Sequence, residues 1–166
     1  MTRVTPIARA ALITISTSRA GTTEPDPSGD ALVGIAEAAG IEVIARELIA
    51  DDRELITERL THWAEEGGAD LILTSGGTGF TPSDQTPEAT ASVIERPAPG
   101  IAEALRQEAA RHTRHWALSR AVAGIRGSCL IVNLPGSPKG VAESAAVLLP
   151  ILPHALELIA DRPPHH

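Results

Sequence analysis

Short apolar segments rich in β-branched residues alternate with amphipathic segments through the first half of this chain. The apolar segments at residues 9–16, 41–49 and 69–75 predict strands, and the last is apolar without interruption, as in a strand that is buried on both faces. Helices are predicted between them, at residues 28–40, with the first residue as N-cap, and from Asp51 to about residue 66. Because such an order forms right-handed crossovers, it predicts an α/β fold in which a mainly parallel sheet lies between two layers of helices.

The second half of the chain continues the pattern with more helix. Its predicted elements are helices at residues 87–95 and 100–113, a short strand within the ambiguous residues 116–123, a buried strand at residues 128–134, and helices at residues 139–149 and 150–160. Pro97 and Pro99 divide the first two helices, since proline breaks a helix interior. We expect residues 1–166 to form one three-layer α/β/α domain with frayed tails at residues 1–8 and 161–166.

Length, charge and aromatic content exclude several classes of function. A chain of 166 residues is of single-domain size and can bury a core without disulfides or a structural metal. Aromatic residues make up 2% of the chain and the formal net charge is -7, which argues against nucleic acid as a partner. The single cysteine, Cys129, lies in an apolar run and is expected to pack in the core. We see no signal peptide and no apolar run of membrane-spanning length, so we expect a cytoplasmic protein with no membrane partner.

A glycine-rich segment directly follows the third predicted strand, at the edge where ligands bind in open α/β sheets. It consists of Thr74, Ser75, Gly76, Gly77, Thr78 and Gly79. The backbone N–H groups and hydroxyls of such a loop can bind an anion. It is neither a Walker A loop nor a GxGxxG motif, because no Gly-Lys-Ser/Thr follows and position 82 is proline. From the residues alone, anion binding and a simple tight turn are equally open.

Two aspartates follow predicted strands at the same edge of the sheet. Asp84 lies two residues before Thr86, which is well placed to cap a helix that begins at Pro87. Capping therefore explains Thr86 but not Asp84. Taken by itself, Asp51 is interpreted as a helix N-cap, with a metal-binding carboxylate as the alternative. Two carboxylates beside an anion-binding loop are what a site for Mg²⁺ and phosphates requires.

Other polar residues give weaker indications. His112 and His115 are three residues apart, but no third ligand accompanies them at a suitable spacing. No Ser-His-Asp or Cys-His arrangement can be seen that would indicate a hydrolytic nucleophile. By composition alone Lys139, the single lysine, is a solvated surface residue, although it follows a turn at the same edge of the sheet as the other loops.

Four segments resemble the molybdopterin-binding family, which includes bacterial molybdopterin adenylyltransferases of the Mog and MoaB types and the G domains of gephyrin-like proteins. They are residues 76–90 (GGTGFTPSDQTPEAT), residues 118–121 (LSRA) with Gly124, residues 133–138 (NLPGSP) and residues 49–52 (IADD). The similarity extends over nearly the whole chain. It implies the α/β fold of that family, usually assembled as a homotrimer. It also implies ATP-dependent adenylylation of molybdopterin, with release of pyrophosphate, in molybdenum cofactor biosynthesis.

The resemblance also implies which residues form the site. Asp51 and Asp84 match the family's acidic positions, which are tied to catalysis and to Mg²⁺, with ATP as co-substrate. Residues 76–79 match the loop where nucleotide and pterin meet, and Ser119 and residues 133–137 match positions that hold the pterin and its phosphate. Substrate contacts are expected from residues of the converging loops: Ser16, Ser18, Arg19, Thr74, Ser75, Gly76, Gly77, Thr78, Gly79, Ser119, Arg120, Asn133, Pro135, Gly136, Ser137 and Lys139.

Departures from the family pattern leave a second interpretation open. Ser83 and Gln85 flank Asp84 where the family usually has arginine and valine, and Ala50 stands where proline is common. The alternative is a non-catalytic molybdopterin-binding scaffold of the same pathway. A third possibility is a nucleotide-derivative hydrolase on the same fold. The expected partners are molybdopterin, ATP and the molybdate-inserting enzyme of the pathway.

Overall fold

A six-stranded sheet forms the centre of this computed structural model, which describes residues 7–160. The strands are β1 (Arg9–Ile15), β2 (Glu42–Ile49), β3 (Leu71–Ser75), β4 (Arg96–Pro97), β5 (Ala123–Arg126) and β6 (Cys129–Leu134). Their order across the sheet is β2-β1-β3-β6-β5-β4. The four strands β2, β1, β3 and β6 are parallel, and β5 pairs antiparallel with both β6 and β4. The predicted α/β fold with a mainly parallel sheet is confirmed.

Within the described residues, five α-helices cover the two faces of the sheet. They are α1 (Pro27–Ala38), α2 (Arg53–Ala64), α3 (Thr86–Val93), α4 (Pro99–Ala109) and α5 (Pro138–Ala160). Alternate strand residues face opposite layers: Leu12 and Leu73 pack with α1, α4 and α5, whereas Ile13 and Ile72 pack with α2 and α3. Because both faces are covered, these strand residues are fully buried, which explains the uninterrupted apolar runs of the sequence.

Two predicted helix caps differ from the structure. Asp26, and not Ser28, caps α1, because its carboxylate accepts a hydrogen bond from the backbone of the first helical turn. Thr86 lies inside α3, whose N-cap is Gln85 without a side-chain cap bond. Both hydroxyl residues are buried in the tertiary structure, where they face other elements. Local sequence shows that a cap is available but does not decide which neighbouring polar residue takes the role.

The region between α4 and β6 also differs from the prediction. Residues Trp116–Leu118 form a 3-10 helix, and the strand expected within residues 116–123 is β5, which begins only at Ala123. The two-residue strand β4 was not predicted. It contains Pro97, which is tolerated there because β4 lies at the edge of the sheet.

The two helices predicted at residues 139–149 and 150–160 are one continuous helix, α5, with Pro150 and Pro153 inside it. Both prolines are exposed. On its other side α5 contributes fully buried residues to the core: Val141, Leu148 and Leu152. By length and composition alone α5 is also apolar enough to cross a membrane, contrary to expectation. In the fold, its apolar stripe is occupied by contacts with α1, α4 and the sheet.

The predicted frayed tails, residues 1–8 and 161–166, lie almost entirely outside the described residues. The organisation of residues 1–166 as one domain therefore stays a prediction at its ends.

The carboxyl ends of β1, β2, β3 and β6 meet at one edge of the sheet. The chain runs from β1 outward to β2 through α1 and returns past β1 to β3 through α2, so the winding direction reverses between β1 and β3. Such a reversal opens a crevice at the carboxyl ends of the two strands, where ligands of open α/β sheets bind. This crevice contains the glycine-rich segment.

Candidate active site

Two glycines let the loop after β3 fold tightly against its neighbours. Gly76 has a φ of +103° and Gly77 a φ of +68°, a region that other residues rarely adopt. A Cβ on Gly76 would overlap the carbonyl oxygen of Ile15. A Cβ on Gly77 would overlap Thr86 Oγ1 and lie 2.8 Å from Asp51 Oδ2. The loop therefore brings the ends of β1 and β2 and the start of α3 into one crevice.

The same loop carries free backbone donors. Gly76 N donates to the carbonyl of Leu134 at 3.3 Å. By contrast, the N–H groups of Gly77, Thr78 and Gly79 donate to no acceptor within residues 7–160. Successive free N–H groups in a glycine-rich turn form a concave site that favours an anion over a simple tight turn.

Asp51 lies in this crevice and is not a helix cap. Asp52 caps α2, since its carboxylate accepts from Leu55 N at 2.8 Å. Asp51 Oδ1 accepts from Gln85 N at 3.1 Å, while Oδ2 has no hydrogen-bond donor in the described part of the chain. Burial raises the pKa of Asp51, the Gln85 bond partly opposes this, and the negative charge of Asp84 raises it further. A cation bound here would favour the ionised carboxylate.

Asp84 is held in place by Thr81. Asp84 Oδ2 accepts from Thr81 N at 3.0 Å and from Thr81 Oγ1 at 2.6 Å, whereas Oδ1 accepts no hydrogen bond from the described residues. Gly79 packs against this carboxylate, since a Cβ there would lie 2.9 Å from Oδ2. Asp51 and Asp84 each therefore retain one oxygen for a ligand.

The donor set fits a divalent cation shared with phosphates. Across residues 7–160 no group of three His, Cys, Asp or Glu side chains is arranged to hold a metal ion. Mg²⁺ is commonly bound by one or two carboxylates together with substrate phosphates and water. Asp51 and Asp84 supply two carboxylates, and the buried Thr86 Oγ1, which has no partner in the structure as described, adds a hydroxyl oxygen. The residues fit Mg²⁺ accompanied by phosphate, and not a metal held by protein alone.

Arg120 holds the glycine-rich loop in position. Its backbone N donates to the Thr78 carbonyl at 2.9 Å, Nε donates to the Gly79 carbonyl at 2.7 Å, and Nη2 donates to the Asp84 carbonyl at 2.9 Å. Nη1 forms a short ion pair with Glu88 in the first turn of α3, and this bond lowers the pKa of Glu88. Every nitrogen of the guanidinium is thus engaged by the loop or by α3. A contact between Arg120 and substrate stays a prediction.

Buried polar groups join the ends of β3 and β6. Ser75 Oγ donates to the Pro135 carbonyl at 2.7 Å. Asn133 Nδ2 donates to both Thr74 Oγ1 and Thr90 Oγ1 at 3.0 Å, and its Oδ1 accepts a backbone N–H at 3.2 Å. These side chains fix the relative position of the two strand ends. Their predicted contacts with a ligand are not tested by this geometry.

A pocket of about 310 Å³ opens beside the loop that follows β6. It is bounded by α4, the segment after α4 and the first turns of α5. The predicted substrate-binding residues that line it are Ser119, Asn133, Pro135, Ser137 and Lys139. Arg106, His112 and Trp116 line it as well. Its size is at the lower end of the roughly 300–1,000 Å³ typical of small-molecule sites.

The predicted contacts after β1 lie at the mouth of the crevice. Ser16 Oγ and Ser18 Oγ are 3.3 Å apart. Arg19 Nη1 donates weakly to the Pro25 carbonyl at 3.5 Å, and Arg19 forms no ion pair within residues 7–160. No carboxylate of the described residues therefore neutralises the positive charge of Arg19, which can attract an anion.

The predicted binding residues Gly136, Ser137 and Lys139, which follow β6, form contacts with other residues of the protein. The Gly136 carbonyl accepts from Ser28 Oγ at 2.9 Å, and Ser137 Oγ accepts from Gly140 N at 3.0 Å, at the start of α5. Lys139 has an 82% exposed side chain whose Nζ lies 3.7 Å from Glu143. It is a solvated lysine at the rim of the pocket.

Sequence reasoning missed several residues that the fold brings to the site. Gln85 supplies the N–H that orients Asp51, and Thr86, expected to cap a helix, presents an unpartnered hydroxyl. Glu88, in the first turn of α3, is the partner of Arg120. The polar residue types within the signature segment were the only sequence feature that indicated a role for these residues. Their pairing depends on contacts between distant segments.

Two further residues singled out in the sequence are His112 and Cys129. His112 lies between two carboxylates, with Nε2 3.1 Å from Glu108 and Nδ1 3.6 Å from Glu143, and is not part of a metal cluster in the described chain. Cys129 is fully buried, and burial raises its pKa to about 12, as expected of a packing residue.

This chain is similar in sequence and in fold to known proteins. Residues 11–154 match a family described as "Probable molybdopterin binding domain". The chain belongs to this family. Among solved structures, the molybdopterin biosynthesis enzyme MoaB from Thermus thermophilus is 44% identical, with a TM-score of 0.87, over 95% of this chain and 99% of that one. The resemblance seen in the signature segments is thereby confirmed.

Curated members of the molybdopterin-binding family are similar over most of this chain. A molybdopterin adenylyltransferase of Helicobacter pylori is 41% identical over 68% of this chain, and the molybdenum cofactor synthesis protein cinnamon of Drosophila melanogaster is 38% identical over 90% of it. The chain spans 64% and 25% of the length of these two relatives, respectively. The named relatives place this chain in molybdenum cofactor biosynthesis.

Proposed function

We propose that this chain catalyses the adenylylation of molybdopterin with ATP. The terminal phosphate oxygen of molybdopterin attacks the α-phosphorus of ATP, the bond from that phosphorus to the pyrophosphate oxygen breaks, and adenylyl-molybdopterin and pyrophosphate are released. One observation carries this proposal: Asp51 and Asp84 share a crevice with a loop of free backbone N–H groups, beside a pocket of about 310 Å³.

The residues of this chain act mainly by positioning, as expected for transfer between phosphates. The free N–H groups of Gly77, Thr78 and Gly79 bind phosphate oxygens at the mouth of the crevice. Asp51 and Asp84 would hold Mg²⁺ together with the ATP phosphates. When bound, the cation neutralises phosphate charge and stabilises the leaving pyrophosphate.

The pocket beside this crevice receives the pterin. Ser119 and Ser137 offer hydroxyls at its lining, and Trp116 offers an indole ring. Since aromatic residues are scarce in this chain, polar side chains and backbone groups provide most of the recognition. The pocket and the crevice meet at the loops after β3 and β6, so a pterin in the pocket can direct its phosphate toward the nucleotide.

An assay of purified protein with molybdopterin and MgATP tests the proposal. The wild type is expected to release pyrophosphate and form adenylyl-molybdopterin. Asp84→Asn should lower kcat about a hundredfold, because it removes one of the two carboxylates that would hold Mg²⁺ beside the phosphates, with little change in molybdopterin affinity. Asp70→Asn is a matched control, since Asp70 lies at the opposite edge of the sheet, where it accepts from Arg9 N. Wild-type protein that binds molybdopterin but forms no product would exclude the enzyme.

The second candidate is a non-catalytic scaffold that binds molybdopterin, and the Ser83 and Gln85 substitutions favour it. Without an arginine at position 83, the loop has one positive charge fewer beside Asp84. Calorimetry separates the two functions. The enzyme requires Mg²⁺-dependent ATP binding that Asp51→Asn weakens, whereas a scaffold binds the pterin and shows no such ATP binding.

We also infer assembly and location from the family resemblance. The chain forms a homotrimer in the cytoplasm and transfers its product to a molybdate-inserting enzyme. Sedimentation equilibrium should give a mass three times the 17.3 kDa of one chain. A mass of one chain at micromolar concentration would contradict the trimer.

A further inference from the structure

The guanidinium of Arg106 lies in the wall of the pocket with most of its donors free. Arg106 is partly buried on α4. Its Nη1 donates to the carbonyls of Ala121 at 2.8 Å and Ser119 at 3.4 Å. Its Nε and Nη2 donate to no acceptor in the described chain, and no carboxylate there pairs with it. Three N–H groups of a cation are thus unused beside a cavity.

The other charged residues of the pocket each have a charged partner within reach. Glu108 pairs with Arg111 and with His112, and Glu143 pairs with His112 and with Lys139. Arg106 is therefore the charge in the described lining that no neighbour compensates. An unpaired, partly buried cation costs free energy, which an acceptor in the pocket would offset.

The acceptor cannot come from the other side of Arg106. There it borders a second hollow of about 260 Å³. The other residues lining this hollow are apolar: Ala91, Ile94, Pro97, Pro99, Ala102, Ala121, Val122 and Ala123. Of these two hollows, the first pocket, with its serines, asparagine and histidines, has the polar lining of a ligand site.

We propose that Arg106 is a substrate-binding residue that donates to an oxygen of the ligand in this pocket. The inference rests on the proposed function, because it takes the ligand to be molybdopterin. Two oxygens of that molecule share the required chemistry, the terminal phosphate and the ring carbonyl of the pterin. The planar guanidinium can bind either through two parallel N–H groups, which lysine cannot do.

Calorimetric titration of wild type, Arg106→Gln and Arg106→Lys tests this role. The probes are molybdopterin, its dephosphorylated form, inorganic phosphate and MgATP. Arg111→Gln is a matched control, since Arg111 is an exposed arginine two residues beyond the end of α4 that does not line the pocket. Arg106→Gln should weaken molybdopterin binding roughly ten- to a hundredfold, as expected for lost hydrogen bonds to a charged donor. Arg106→Lys should be intermediate, and MgATP binding should be unchanged.

The dephosphorylated ligand identifies the oxygen. If the loss persists with it, Arg106 binds the pterin carbonyl. If the loss disappears, Arg106 binds the phosphate, and inorganic phosphate should then bind the wild type more tightly than Arg106→Gln. Either result supports the proposal.

Other outcomes overturn it. Equal affinity of wild type and Arg106→Gln for molybdopterin would do so. A parallel loss of MgATP affinity and Tm would also do so, because it would show that Arg106 only supports the carbonyls of Ser119 and Ala121. If the wild type binds no molybdopterin, the proposed function is wrong, and the titration with inorganic phosphate then decides about Arg106. Tighter phosphate binding by the wild type than by Arg106→Gln supports a ligand-binding role of Arg106. Equal phosphate affinity of the two proteins overturns it.

Discussion

At the scale of single residues, the site combines groups that each oppose the stability of the free protein. Asp51 is partly buried near other carboxylates, and Thr86 has a buried hydroxyl without a partner in the described residues. Such features are costly in a fold and persist where a ligand uses them. A cation and phosphates would relieve both costs.

Replacing Asp51 with asparagine is expected to stabilise the metal-free protein at pH 7. The raised pKa means that the folded state binds this proton more readily than the unfolded state, so the ionised carboxylate lowers stability at neutral pH. The asparagine oxygen can still accept from Gln85 N. The gain in Tm should shrink as pH falls below the raised pKa toward the ordinary range of aspartate, where the wild-type carboxyl is also neutral.

Thermal unfolding with EDTA at pH 7 and at about pH 4 measures this difference. Asp52→Asn is the control, since asparagine caps a helix as well as aspartate does. An equal gain at both pH values would show that charge is not its cause.

Replacing Gly77 with alanine is expected to lower both stability and nucleotide binding. The positive φ costs about 1–2 kcal/mol for alanine, and overlap with Thr86 and Asp51 raises the total to about 2–4 kcal/mol. Gly40→Ala is a matched control, because Gly40 has a φ of +71° and open space around its Cα. Urea unfolding of both variants measures the loss of stability, and MgATP titration measures the loss of nucleotide affinity. Equal losses in Gly77→Ala and Gly40→Ala would show that the crevice does not depend on the close approach of Gly77.

At the scale of elements, α5 shows how tertiary contacts override a local signal. Pro150 and Pro153 each remove a backbone donor inside the helix, which disfavours an isolated helix by about 3 kcal/mol per proline. The helix continues because its buried stripe packs against the sheet and α1 on both sides of Pro150. Both prolines face solvent, where water can satisfy the carbonyls that they leave free.

Replacing Pro150 with alanine should therefore raise the free energy of unfolding by about 1–3 kcal/mol, because a helical N–H donor is restored on the exposed face. Pro99→Ala is the comparison, since Pro99 lies in the first turn of α4, where proline is favourable and no gain is expected. Denaturant unfolding gives both values. A loss of stability in Pro150→Ala would indicate that the core requires a bend that alanine does not supply.

At the scale of the whole molecule, a net charge of -7 opposes the arrival of anionic ligands. Local donors act only at short range: the loop N–H groups, Arg19 and Arg106.

We therefore expect association of molybdopterin to become severalfold faster when ionic strength rises from about 10 to 150 mM, because the repulsion is screened. Stopped-flow fluorescence of Trp116, which lines the pocket, measures the rate. The dephosphorylated pterin should show a weaker salt effect; an association rate that falls with salt would indicate attraction instead.

Much of the architecture could be predicted from local sequence because the apolar periodicity is strong. The four parallel strands, α1 and α2 follow their predicted positions within a few residues, and both aspartates were singled out because they match acidic positions of a recognisable family pattern. The roles of Thr86 and Glu88 could not be predicted. Each depends on which distant group lies opposite, such as Arg120 across a separation of 32 residues from Glu88.

The sequence by itself determined the α/β pattern, the family and the residue types of the crevice, since these depend on periodicity and on contiguous motifs. Only the tertiary structure decided which polar groups are consumed by the fold and which stay free. In the folded protein, Arg120 and Asn133 form hydrogen bonds with other residues of the chain. Arg106 lies in a pocket wall with no carboxylate partner in the described residues. The physical reason is that hydrogen bonds and charge compensation are settled between segments far apart in the chain, where local sequence carries no record of the partner.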